Sequence, residues 1–172
     1  MKKNALLISL FMVAAMMLCP QETWAQWTGN GKINQCLTLV ANENNCELEL
    51  EVEHEDDDND YRIKLVYSTD GTTWQKYKLG KTITLDKAGD AVMFKAGGKG
   101  TNEYFSCANG SEQTYRFYMD GSISARGNVM SLLDATMQRT DVPYGAFSEL
   151  FEDCCELTSA PDLPATTLGE YC

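Results

Sequence analysis

"CELELEVE", Cys46 to Glu53, alternates without interruption. Leu48, Leu50 and Val52 fall on one side, and Glu47, Glu49, Glu51 and Glu53 on the other. A period of two belongs to a β-strand, because successive side chains leave opposite faces of the pleat. One apolar face and one carboxylate face describe a strand buried on one side and wet on the other, as in an antiparallel sheet. Such a strand needs a second layer to cover its leucines.

The neighbouring text supplies that layer. "CLTLVA" (36–41) and "AVMFKA" (91–96) are almost wholly apolar, and "YRIKLVYS" (61–68) alternates again. Asp70-Gly71 marks a hairpin turn before "WQKYKL" (74–79). Lys87-Ala88-Gly89-Asp90 separates "KTITLD" (81–86) from "AVMFKA". "EYFSCA" (103–108) is short, and Asp120-Gly121 turns "QTYRFYM" (113–119) into "SISARG" (122–127). About eight or nine short strands at this spacing predict a mainly β fold, an Ig-like antiparallel β-sandwich over residues 26–127.

Beyond Gly127 the pattern changes. "NVMSLLDATM" (128–137) predicts a short helix capped by Asn128, within a connecting stretch 128–146. In "YGAFSELFEDCCEL" (144–157), Phe147, Leu150, Phe151 and Cys154 form an i, i+3, i+4, i+7 stripe, which predicts a helix of about two turns. Pro161 and Pro164 then forbid further helix and disfavour a central strand. A short helix, an extended leucine-bearing segment and a turn make the layout of one solenoid repeat, 147–172.

The other end carries a different signal. Lys2 and Lys3 precede an apolar run, Ala5 to Leu18, that is short for a membrane span. Pro20 breaks the run, and Thr23-Trp24-Ala25 ends in a small residue. Residues 1–25 read as a secretory signal peptide cleaved after Ala25. Cys19 follows Leu18 rather than a small residue, which argues against a lipid anchor there. Cleavage removes two of the 14 basic and one of the 25 acidic residues, leaving 12 against 24. A net charge of −12 excludes nucleic acid as a partner. No later apolar run has spanning length. Export permits disulfides, and Cys36 and Cys46, flanking "NENN", are candidates for one; the alternative is that both are small buried apolar residues.

Little here supports catalysis. His54 is the lone histidine and lies inside the acidic run "EVEHEDDDND" (51–60), so no triad or histidine-rich zinc site can form around it. Gly97, Gly98 and Gly100 lack the following helix that a phosphate loop needs. No catalytic residue and no cofactor is therefore assigned. Asp56, Asp58 and Asp60 are weak calcium candidates: their spacing starts like an EF-hand, but Tyr61 and Tyr67 stand where glycine and glutamate are required. A solvated hairpin loop is the plainer reading of that run. Trp74, Tyr77, Tyr104, Tyr115 and Tyr118 raise carbohydrate binding as an alternative, against ordinary burial of rings in the core.

"FSELFEDCCELTSAPDLPATTLGEYC", Phe147 to Cys172, resembles the repeat of BspA-like leucine-rich-repeat surface proteins of Bacteroidota. The marks are a phenylalanine-led turn, a cysteine, "L-T-x-A-P-x-L-P-A-T-x-L" and a closing tyrosine-cysteine. "YSTDGTTWQKY", "ITLDKAGDAVMFKA" and "GNVMSLLDA" resemble the β-rich module that precedes such repeats. The resemblance implies an exported, non-enzymatic adhesion module whose repeat array meets a protein on a host or microbial surface. A glycan-binding β-sandwich and a calcium-stiffened spacer are the other expectations. The family has arrays and a single cysteine where this chain has scarcely one repeat and the pair Cys154-Cys155. Residues 147–172 therefore read as the first repeat of an interrupted array.

Overall fold

The computed structural model describes residues 36–53, 63–98, 102, 105 and 114–172. The chain is mainly β, and its principal sheets are antiparallel. Strands β1 (Leu37–Ala41), β3 (Leu65–Ser68), β4 (Gln75–Lys76), β6 (Ala91–Ala96) and β8 (Ile123–Arg126) form a five-stranded sheet in the order β4-β3-β6-β1-β8. Strands β2 (Cys46–Glu53), β5 (Ile83–Leu85) and β7 (Thr114–Asp120) form a three-stranded sheet in the order β5-β2-β7.

The alternation of β2 sets the smaller sheet. Leu48 and Leu50 pair with Met119 and Phe117, and both leucines are buried, while Glu49 and Glu51 lie opposite Tyr118 and Arg116 on the outer face. The two sheets share one core. Phe94 of β6 meets Phe117 of β7 edge to face at 5.5 Å, and Tyr77 meets Phe94 at 5.4 Å. Tyr77 is held in place by its hydroxyl, which donates to the Lys81 carbonyl and accepts from the Leu50 amide. Strands β1 and β6 behave differently from β2. Their outward Thr38, Val40, Ala91 and Met93 are buried along with inward Leu37, Leu39, Val92 and Phe94, as their continuous apolar text requires.

The segment beyond Gly127 shares a core with the strands. Val129, Met130, Leu132, Leu133, Val142, Ala146 and Leu150 join the same cluster as the strands, with Phe147, Phe151, Cys154, Leu157 and Ala165 packed against it. The helix expected after Gly127 is a short 3-10 turn, Val129–Leu132, and Asn128 caps it by accepting from the Met130 amide at 2.8 Å.

The helix expected around Phe147–Cys154 does not form. The segment is a chain of turns, in which the amides of Ser148, Leu150, Glu152 and Cys154 each bond the carbonyl three residues back. Phe147, Glu149 and Asp153 have φ of 76°, 61° and 59°, values that an α-helix excludes. The reason lies in the edge of β7. Leu150's carbonyl, which a helix would use internally, accepts from the Phe117 amide at 2.9 Å, and Cys154's thiol donates to the Phe117 carbonyl. The apolar stripe still points inward: Leu150 is buried, and the Phe151 ring stacks on Phe117 at 5.5 Å.

From Cys155 the chain runs beside β8 and the 3-10 turn. Strand β10 (Thr167–Leu168) then pairs in parallel with β9 (Asp141–Val142). Gly169 crosses directly over the earlier turn, and a Cβ there would lie 2.7 Å from both the Pro143 carbonyl carbon and the Tyr144 nitrogen. Neither is a side chain that can swing aside. Gly169→Ala is expected to destabilise the protein by about 1–3 kcal/mol through this overlap, seen as a lower urea midpoint at unchanged slope. An unaltered midpoint would mean that the two passes of chain do not touch there.

Candidate interaction surface

Two successive passes of the chain lie side by side in the same direction. The first runs from β8 through the 3-10 turn and β9, and the second runs from Glu156 to Glu170. Leu157 bridges Ile123 and Asp162 bridges Asn128, both in parallel. The Ile123 amide donates to the Glu156 carbonyl at 3.2 Å, and the Thr158 amide donates to the Ile123 carbonyl at 2.8 Å. Further on, the Gly169 amide reaches the Val142 carbonyl at 2.8 Å, and the Gly145 amide reaches the Glu170 carbonyl at 2.9 Å. The two passes, the first and second coil, cover each other's backbone groups.

Side chains repeat along with the backbone. Ser124 and Thr158, 34 residues apart, have their hydroxyls 2.7 Å from each other. Asn42 closes the start of this row: its amide nitrogen donates to Thr158 Oγ1 at 3.0 Å, and its carbonyl oxygen accepts from Ser124 Oγ at 2.9 Å. Ser159 Oγ donates to the Ala125 carbonyl at 2.8 Å, at the same 34-residue separation.

The separation falls to 26 residues where Thr166 meets Thr140. The first coil is therefore eight residues longer between those points, and Asp134 folds the surplus. Its Oδ1 accepts from the Thr136 amide at 2.8 Å, and its Oδ2 accepts from the amides of Gln138 and Arg139 at 3.0 and 3.1 Å. Burial opposes ionisation of this carboxyl. The bonds from Thr136, Gln138 and Arg139 outweigh it, so the carboxyl titrates below its usual range.

Arg116 fastens the turn segment that joins the two coils to the smaller sheet. Its guanidinium pairs with Glu152, lies 3.7 Å from Glu149 Oε2 and lies 3.5 Å from Asp153 Oδ2. The three carboxylates belong to the turn segment beside β7, so one cation serves both the sheet and that segment. Ring contacts there add to it, with Phe105 packing on both Tyr115 and Phe147.

The residues singled out from sequence are dispersed. Cys36 and Cys46 are both buried, and they are not joined to each other. They lie at opposite ends of β1, a separation of roughly 17 Å at the usual strand rise, whereas a disulfide needs Cα atoms within about 7 Å. Cys46 instead directs its thiol at the Glu43 and Ser122 carbonyls. Ala25, His54, Asp56, Asp58, Asp60, Gly100, Tyr104 and Cys107 lie outside the described residues. Among those described, no group of three His, Cys, Asp or Glu is arranged to hold a metal. No described helix is long and apolar enough to cross a membrane.

The aromatic candidates divide between core and surface. Tyr115 is buried and Tyr77 is half-buried. Trp74 is half-buried, with the Lys95 ammonium 3.8 Å from its ring centroid, while Tyr118 is exposed. A cavity of about 700 Å³ opens between the sheets at Val52, Leu65, Tyr77 and Leu79, rimmed by Glu51, Lys76 and Lys78. Sequence reasoning missed the roles of Asn42, Arg116 and Asp134. Only Asp134, two residues before a threonine, carried a local sign, that of an Asx turn.

Because Asp134's carboxyl is depressed in the folded state, its contribution is complete above the unfolded value near pH 4 and is lost as pH falls through the lower folded value. Asp134→Asn is expected to lower stability at pH 7 by about 2 kcal/mol and to flatten the acid limb of the melting temperature plotted against pH. An acid limb identical to that of the parent would remove Asp134 from this role.

Comparison with known proteins gives no match to a family, to a curated protein or to a solved structure.

Proposed function

We propose that this is an exported, non-enzymatic cell-surface protein, in which leucine-rich-repeat coils mounted on an Ig-like β-sandwich present a face for adhesion to another protein. The parallel pairing of Ile123 with Leu157 and of Val142 with Leu168 carries the reading. Aliphatic residues stack on aliphatic in both pairs, at separations of 34 and 26 residues, and this supports reading the two passes as turns of a solenoid, which would offer an extended surface. The motif resemblance of Phe147–Cys172 supports the same reading from the sequence side, as does the signal-like text of residues 1–25. Adhesion itself is a fold-level analogy.

Glycan binding has less support. A sugar stacks on an open ring face, and Lys95 sits over that of Trp74, while Tyr115 belongs to the core. A calcium-stiffened spacer would rest on Asp56, Asp58 and Asp60, for which no further observation speaks.

The test is made on intact cells of the native bacterium. External protease is expected to remove the protein, and deletion of its gene is expected to reduce attachment to protein-coated surfaces several-fold, with free polysaccharide without effect. Protection from external protease would reject the surface location. Attachment unchanged by deletion would reject adhesion.

A further inference from the structure

The core is incompletely filled at one corner, between β2 and the β3–β4 edge of the larger sheet. Along β2 the inward residues pass from fully buried Leu50 to half-buried Val52. Toward the start of β3 they pass from buried Leu65 to half-buried Ile63. The chain after β4 shows where the filling stops. The Tyr77 amide donates to the Leu65 carbonyl at 2.9 Å, and the Gly80 amide donates to the Leu50 carbonyl at 3.1 Å. Residues 77–80 therefore leave the larger sheet and cross to the smaller one. The Tyr77 hydroxyl fixes the crossing, since it is bonded to both the Leu50 amide and the Lys81 carbonyl. The cavity of about 700 Å³ lies against this crossing. Val52, Ile63, Leu65, Tyr77 and Leu79 give it apolar walls, and four of these five are only half-buried. Its volume falls within the range of small-molecule sites, about 300–1,000 Å³.

The rim has the opposite character. Lys76 and Lys78 alternate with Tyr77 and Leu79, so one short segment contributes rings and methyls to the wall and exposed cations to the mouth. Between Asp70 and Asp86 the chain has three lysines and no acidic residue. That is a local excess of positive charge in a chain that is strongly acidic overall. Glu51 also borders the cavity, but its carboxyl belongs to the outer face of β2, where it is hydrogen-bonded to Glu49 and lies opposite Arg116. We infer that the cavity binds a free anionic amphiphile, with an acyl or aryl body against Val52, Ile63 and Leu79 and a carboxylate at the rim beside Lys76 and Lys78. The body replaces water on walls that offer it few partners. The head keeps its solvation and gains two cations, which an amphiphilic cation or an uncharged sugar would not. An anionic bilayer is a poorer occupant than a single molecule, because Glu47 and Glu49 stand on the neighbouring outer face of β2. The site lies at the edge of the larger sheet farthest from β8 and the coils, so it is separate from the surface proposed for adhesion.

The test titrates the full chain with sodium dodecanoate, kept below micelle formation, and follows both heat and intermolecular nuclear Overhauser effects. One molecule is expected to bind per chain, with its methylenes close to the methyl groups of Val52, Ile63 and Leu79. Added salt is expected to weaken binding, and dodecyltrimethylammonium is expected to bind roughly tenfold more weakly or worse. The double variant Lys76→Glu, Lys78→Glu changes two exposed side chains. It is expected to weaken dodecanoate about tenfold at an unchanged melting temperature. No saturable binding of dodecanoate overturns the proposal. So do Overhauser contacts confined to other parts of the chain, and so does equal affinity for the anionic and cationic amphiphiles. Co-sedimentation of the parent with phosphatidylglycerol vesicles, abolished in the double variant, would assign the lysines to a lipid surface and would overturn it as well. None of these readouts involves cell attachment, so the ligand site and the adhesive role fail separately.

Discussion

Ile123 has a strand of the sheet on one side and the second coil on the other, and the rest of the structure follows from that position. As the first residue of β8 it pairs with Ala41 of β1 in the antiparallel five-stranded sheet. Its amide and carbonyl are taken by Glu156 and Thr158 of the second coil. One short strand is therefore both the last strand of a sheet and the support on which the second coil lies. An edge strand normally exposes a row of unpaired groups. Here the following coil covers that row, and the turn segment 147–154 does the same for β7 through Phe117. Both sheets are closed along one side by chain that lies beyond them in sequence.

Closure of this kind explains the backbone of the turn segment. Holding phenylalanine, glutamate and aspartate at positive φ is unfavourable. An ordinary two-turn helix would avoid that cost, but it would leave the β7 edge open and the Leu150 carbonyl turned inward. The observed path satisfies the edge, buries Leu150, stacks Phe151 on Phe117 and brings three carboxylates to Arg116. Local preference gives way because the tertiary contacts outweigh it.

Much of the β architecture was legible in the text. The alternation of "CELELEVE" fixed which face of β2 is buried, and the unbroken apolar runs of β1 and β6 matched strands buried on both faces. Turn dipeptides such as Asp120-Gly121 marked real boundaries. What could not be read was placement across distance. The stripe Phe147, Leu150, Phe151 and Cys154 is apolar on one side whether the chain is helical or a series of turns, so its period did not reveal the β7 edge waiting for it. Cys36 and Cys46 flank a turn in sequence, yet β1 carries them apart. The candidate surface was half legible: the prolines of Leu157–Leu168 announced an extended path without helix, whereas the hydroxyl row and its Asn42 start depend on a residue more than a hundred positions away.

The central claim is that the sheets and the first coil fold as one unit around Ile123 and Phe117. Native-state hydrogen exchange in rising urea tests it most directly. The amides of Phe117 and Leu150, on either side of the shared edge, are compared with those of Leu39 and Phe94 in the larger sheet. The account predicts that all four converge on one opening free energy, equal to that of global unfolding. An opening of Leu150 and Phe117 well below that of Leu39 and Phe94 would show a coil merely laid against a self-sufficient β module, and would contradict it.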